Sequence, residues 1–265
     1  MKRKQLISRF LLAFVAILIL LFLVSPMIAV VGASFSDAGY FEFPPSKLSL
    51  HWYKEAFSNR EHIKSLAASL KIACTTMIVA DVLCIPACFA LTKGSRKLVK
   101  SVQTLFMAPL FLPAIALGVG LMLWLAKLGI RGNFWTLVLA HVVIVTPYYM
   151  RVVGSCLAEF DYGLVDAANS LGATPAKAFL YVTLPQIAPG IIVASMFGFM
   201  LSFSELIITL FISSSNMITF PVRVYSSMVT EGLNPMVLAY STIIIMVVLI
   251  ISILAEKFAH WSKYF

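Results

Sequence analysis

Two carboxylates stand where a carboxylate is expensive. Asp81 and Glu205 lie inside long apolar runs of a 265-residue chain that has only 11 acidic side chains, and an ionisable group in such a place points first to function. Ser195, Gly198, Ser202, Glu205 and Thr209 follow one another at intervals of 3, 4, 3 and 4, which puts all five on one side of a helix. A small polar face with one negative charge suits the wall of a path through a membrane, with Glu205 attracting a cation and Ser202 and Thr209 beside it. The same face also suits close packing of a neighbouring helix through small residues, with Glu205 paired across the contact. Asp81 shares a helix face with Cys74, Cys84 and Cys88. It therefore faces protein, either as a further member of the path or as a structural hydrogen-bonding group. His141, within an apolar run of its own, reads as a packing residue held by hydrogen bonds.

A second set of residues suits mechanical work. The stretch Asp166–Pro185 reads DAANSLGATPAKAFLYVTLP. Leu164 to Leu171 favours a helix, and Gly172 is a natural stop for it. Thr174 can cap a second helix that has Pro175 at its first position, and Pro185 marks the entry to the next apolar run. The pattern predicts a helix–Gly–helix elbow joined rigidly to a spanning helix. Ala167 and Ala168 allow another surface to come close, and Asp166 can meet a basic partner. An ordinary amphipathic loop lying on the membrane fits the same residues.

The elements that hold these residues follow from composition. Hydrophobic residues make up 61% of the chain and charged ones 12%, with a mean hydropathy of +0.97. A soluble domain carries about twice that charge. The apolar residues fall in blocks about as long as a membrane span, and spans without water must be helical here because every amide needs an internal partner. The fold class expected is all-α integral membrane: one domain over 1–265 with six spans at about 10–34, 66–92, 102–125, 134–154, 186–213 and 235–255. Pro109 and Pro113 are expected to kink the third. The core of the first block is longer than a cleaved leader needs, so it reads as a retained helix.

Sidedness comes from the basic residues. The net charge is +9, but its position argues against nucleic acid. Lys2, Arg3, Lys4 and Arg9 precede the first block, and Lys93, Arg96, Lys97 and Lys100 fill a short loop. Of 20 Lys and Arg, 12 fall on one side of this topology and 7 on the other, with Lys71 inside a span. The richer side is cytoplasmic by the positive-inside rule, which places both termini and the 155–185 loop there. The opposite segment at 35–65 balances its charges and carries a short amphipathic helix at about 49–57, whose Trp52 and Tyr53 suit the headgroup belt. Four cysteines have no metal-ligand spacing and read as small packing residues.

The elbow also carries a resemblance. Asp166-Ala167-Ala168, three residues, Gly172, nine residues, Val182, one residue, then Leu184-Pro185 resembles the coupling motif of ABC importer permeases, with Asp166 where Glu is commoner. MLSFSELIITLFISSS and ITFPVRVYSSMVTEGLNPMVLAYSTI resemble the spermidine/putrescine-type permeases, specifically their second membrane subunit. The resemblance implies a type I importer permease fold whose first elbow helix docks on a cytoplasmic ATPase. It also implies a second permease subunit of a different sequence and an extracytoplasmic solute-binding protein. Ser204 stands where that family often has a second acidic residue, which removes one negative charge from a polyamine path.

The expected function is thus the permease subunit of an ATP-driven importer in a bacterial inner membrane, moving a small cationic, polyamine-like solute by alternating access. It is not an enzyme: it has no phosphate-binding Gly-rich loop, so no cofactor or metal is expected and ATP belongs to a partner. Opines, amino-phosphonates and other small charged solutes are alternatives. A gradient-driven transporter using Asp81, His141 and Glu205 as a relay is the competing class. No nucleophile or metal cluster assembles for a membrane enzyme.

Overall fold

The computed structural model describes residues 2–92, 94–130, 132–232 and 235–259. Lys93 of the basic loop and the last six residues of the C-terminal tail lie outside that range. Regular structure among the described residues is helical, with two isolated bridges, Ser36 to Leu48 and Ser214 to Met217. In chain order the helices are α1 (Lys2–Ala33), α2 (His51–Ser58), α3 (Arg60–Thr92), α4 (Arg96–Met107), α5 (Ala114–Lys127), α6 (Phe134–Ala158), α7 (Gly163–Ser170), α8 (Pro175–Ala178), α9 (Leu184–Ser204), α10 (Ile207–Ile212), α11 (Phe220–Glu231) and α12 (Pro235–Ala259). Four helices are long and apolar enough to cross a membrane among the described residues, and five if one bent pair is a single span. The stretch Pro235–Ile250 is a shorter apolar helix.

The bent pair is the expected third span, and the prolines break it. A 3-10 turn at Ala108–Phe111 and the extended Leu112 separate α4 from α5, and the two arms diverge by 103°. Pro109 and Pro113 each withhold an amide from the helical ladder. The fifth span, expected to be continuous, is broken as well, at Glu205.

The chain divides into two compact units, Met1–Glu61 with Val224–Ser252, and His62–Arg223 with Ile253–Phe265. In the first, α1 ends in a loop that α2 closes. Trp52 Nε1 donates to the Ala38 carbonyl at 3.1 Å, and the Tyr53 hydroxyl shares a 2.7 Å hydrogen bond with Ser34. These two rings thus serve the loop. The Glu42 carboxylate accepts hydrogen bonds from the Ser36 and Ser46 hydroxyls, which hold its pKa below the ordinary glutamate value. The Tyr240 hydroxyl of α12 donates to the Ala56 carbonyl.

In the second unit α6 is the central element. The most apolar stretch of α6 is 67% buried, against 0% for that of α1. One half of α6 packs on α3 and α9 through Ala80, Cys84, Val145, Tyr149, Val153 and Val193. The other half packs on α3 and α10 through Ile72, Leu137, Val138, Ile208 and Ile212. Cys84 and Cys88 are buried and contact Thr146 and Met150, whereas Cys74 is exposed. The face expected for four residues of α3 therefore holds for Asp81, Cys84 and Cys88, while Cys74 is exposed among the described residues. Gly118 lets α5 lie directly on α10, because a Cβ there would stand 2.8 Å from the Phe211 ring.

Candidate functional site

The elbow forms as its sequence requires. The Asp161 carboxylate accepts from the Gly163 amide at 2.9 Å and starts α7, which contains Asp166, Ala167 and Ala168. Leu171 ends the helix, and Gly172 turns the chain with φ at 88°, a left-handed conformation that favours glycine. The Thr174 hydroxyl accepts from the Lys177 amide, and Pro175 opens α8. Residues Pro175–Ser204 then form one continuous helical run into α9. Inside it, Phe179–Thr183 forms a π turn. Pro185 has no amide to give the Tyr181 carbonyl, and the wider turn just before it absorbs the mismatch. Asp166, Ala167, Gly172 and Pro185 are exposed, and Ala168 and Leu184 are half-buried.

The path residues fall in two polar layers and one break. In the first layer the Ser195 hydroxyl donates to Asp81 Oδ1 at 2.7 Å, joining α9 to α3. Tyr149 of α6 lies over Gly198, where a Cβ would be 2.7 Å from the ring. In the second layer His141 of α6 is 1% exposed. Its Nδ1 meets the Ser202 hydroxyl at 2.7 Å and its Nε2 the Thr209 hydroxyl at 2.8 Å. Ser195, Gly198, Ser202 and Thr209 are thus engaged with other helices of the same chain.

Glu205 departs from the expected helical face. Its backbone is extended, with φ −68° and ψ 120°, between the end of α9 and the start of α10. Its carboxylate accepts from the Ile208 amide at 2.8 Å, satisfying a donor that the first turn of a helix leaves free. It is only half-buried. Asp81 is half-buried too, and both carboxylates lie in the second unit.

The model of a protein family described as "Binding-protein-dependent transport system inner membrane component" matches residues 84–263, about two thirds of the chain. The chain belongs to that family. This permease is 33% identical over 249 residues to the putrescine transport system permease protein PotI of Escherichia coli K12, covering 88% of this chain and 85% of the relative. It is 28% identical to the spermidine/putrescine transport system permease protein PotC of Haemophilus influenzae, covering 89% and 91%. It is therefore an ABC importer inner-membrane permease. A solved bacterial ABC transporter involved in the import of the acidic polysaccharide alginate superposes with a TM-score of 0.75 at 14% identity, over 97% of this chain and 98% of that one. At that identity the likeness speaks for the fold alone.

Within the permease, three features escaped the sequence. Leu171 and Tyr181 flank the elbow turn and are 89% and 77% exposed, so the elbow offers apolar area as well as the Asp166 charge. Their signal was available: large apolar side chains in a segment assigned to water. His141 joins the break through partners 61 and 68 residues away, and no local pattern announces that. Between the fifth and sixth expected spans, where the sequence marks no element, Phe220–Glu231 forms α11.

Proposed function

We propose that this permease forms one half of an importer pore, spans the membrane six times with both termini cytoplasmic, and pairs with a second permease of different sequence. Separate ATPase subunits bind ATP and dock on α7, with Asp166, Ala167 and Ala168 at the contact and Gly172 setting the angle. Leu184 and Pro185 carry the movement into α9. An extracytoplasmic binding protein delivers the solute. The solute is small and cationic, of the polyamine class, and passes Glu205, with Ser202, Thr209 and Asp81 forming the polar framework of the path. Alternating access follows when closure of the ATPases moves the elbow.

The observation that carries this reading is the exposed elbow that runs into α9 as one continuous helix. A rigid helix transmits a displacement along its length, whereas a flexible loop would absorb it. The substrate class draws on the named relatives and on the carboxylate at the helix break. The test is ATPase activity of the complex reconstituted in liposomes, with putrescine or spermidine presented by its binding protein. Stimulation is expected. Basal hydrolysis that ignores both amines would remove the polyamine, and failure to recruit any ATPase would remove the importer.

A further inference from the structure

We infer that His141 is the positioning residue for the Glu205 carboxylate: by holding Ser202 and Thr209 together it fixes the α9–α10 break across which that carboxylate stands. The inference rests on the reading of Glu205 as the group that meets a cationic solute. The break separates two packing neighbourhoods. Helix α9 lies chiefly on α6, whereas α10 lies chiefly on α5. Only a short connection, Glu205-Leu206, joins them, and its backbone is weakly tied. The Glu205 amide reaches the Ser202 carbonyl at 3.4 Å, a long hydrogen bond.

His141 supplies the tie that the backbone lacks. Its ring reaches both sides of the break at once, and Ser202 and Thr209 are 4% and 0% exposed, so water cannot take its place. A neutral imidazole donates from one nitrogen and accepts at the other, and a hydroxyl can serve either role. Both bonds are therefore satisfied in either tautomer. Thr209 follows Ile208, whose amide the Glu205 carboxylate accepts. The order of control runs from His141 to Thr209, to the first turn of α10, and so to the place of the carboxylate. A leucine of similar volume at 141 would fill the space and release both hydroxyls. A glutamine keeps one donor and one acceptor on a side chain of comparable reach.

Two readouts on the complete reconstituted complex test this. The first is hydrogen exchange of the 203–213 segment. His141→Leu should accelerate it by about tenfold or more, since the capped amides there open with the break, and His141→Gln should stay near wild type. The second is putrescine uptake in a double-mutant cycle. If His141 acts through Glu205, His141→Leu lowers uptake strongly in the wild-type background and adds little to Glu205→Gln. Should His141→Leu fail to assemble, Ser202→Ala and Thr209→Val each remove one arm of the clamp and take its place in both readouts.

Unchanged exchange in the clamp variants would overturn the clamp. Accelerated exchange with fully additive losses of uptake would leave a structural histidine and overturn its positioning role. If Glu205→Gln alone took up putrescine as wild type does, the reading of Glu205 would fall, and with it the role built on it. The exchange data separate that result from failure of the clamp itself.

Discussion

The elbow and the α9–α10 break are both interruptions of helix, but they satisfy their side chains in opposite ways. At the break and in the layer beside it the polar groups find partners inside the chain: buried His141 with Ser202 and Thr209, half-buried Asp81 with Ser195, and half-buried Glu205 with the Ile208 amide. At the elbow the backbone is internally satisfied while the side chains are not. Asp166 is exposed, Leu171 is 89% exposed and Tyr181 77%. A surface so shaped, and so little used by its own chain, is shaped for something outside it. The break, in contrast, is finished within the subunit.

The sharpest way to break that contrast is Gly172→Pro. Proline cannot adopt a φ of 88° and cannot donate the amide that Gly172 gives to Asn169, a loss on the order of 3 kcal/mol. Because Gly172 is exposed and a Cβ there meets nothing, insertion and yield should stay at wild-type levels while solute-stimulated ATP hydrolysis disappears. Gly172→Ala meets only the left-handed penalty of about 1–2 kcal/mol and should retain part of the coupling. Membrane yield beside stimulated ATPase activity measures both, and normal coupling in Gly172→Pro would refute the elbow.

This contrast also decides what the sequence could reveal. Elbow signals are local: a capping Thr174, Pro175 next to it, Gly172 at the turn, each acting on its own few residues. All were legible. The α2 amphipathic helix was legible for the same reason. The break was not, because Glu205 fits a helical face by spacing and only its extended backbone shows that the helix stops there. The 103° angle between α4 and α5 was half legible. Pro109 and Pro113 announced a disturbance, but the intervening 3-10 turn and the packing of α5 on α10 set its size. The packing role of the 195–209 face shows only when Tyr149 is seen lying over Gly198.

The core side of the comparison is tested by Gly198→Ala. The added methyl would approach the Tyr149 ring to 2.7 Å, and Tyr149 is 0% exposed, so the ring has nowhere to go. Overpacking of this kind costs about 1–3 kcal/mol. A lower melting temperature of the detergent-solubilised subunit is expected, with a smaller fall for Gly172→Ala, whose strain sits at an exposed turn. Equal melting of all three proteins would show that α6 and α9 are not the tight pair described.

A smaller effect belongs to Ser195→Ala. It removes the hydroxyl that donates to Asp81 at 2.7 Å and should cost about 1 kcal/mol, the net value of one hydrogen bond to a half-buried group. Melting temperature should fall slightly, and Ser195→Thr, which keeps a hydroxyl, should recover most of the loss. No recovery would mean that the methyl group or the backbone, and not the hydrogen bond, matters at that level of α9.

The smallest effect lies in a third setting, where a carboxylate is served by its own loop. Glu42 is held by Ser36 and Ser46, and these hydrogen bonds depress its pKa. A depressed carboxylate pKa stabilises the folded loop fully above the unfolded value, and the contribution is lost as pH falls through the lower, folded value. Hydrogen exchange in the 35–49 loop should therefore be flat through neutral pH, after correction for its intrinsic pH dependence. It should become faster only below the ordinary glutamate range. Ser46→Ala should move the onset upward by removing one of the donors. If Ser46→Ala left the onset where it was, the loop would not depend on Glu42, and local service of a carboxylate would count for less than burial does.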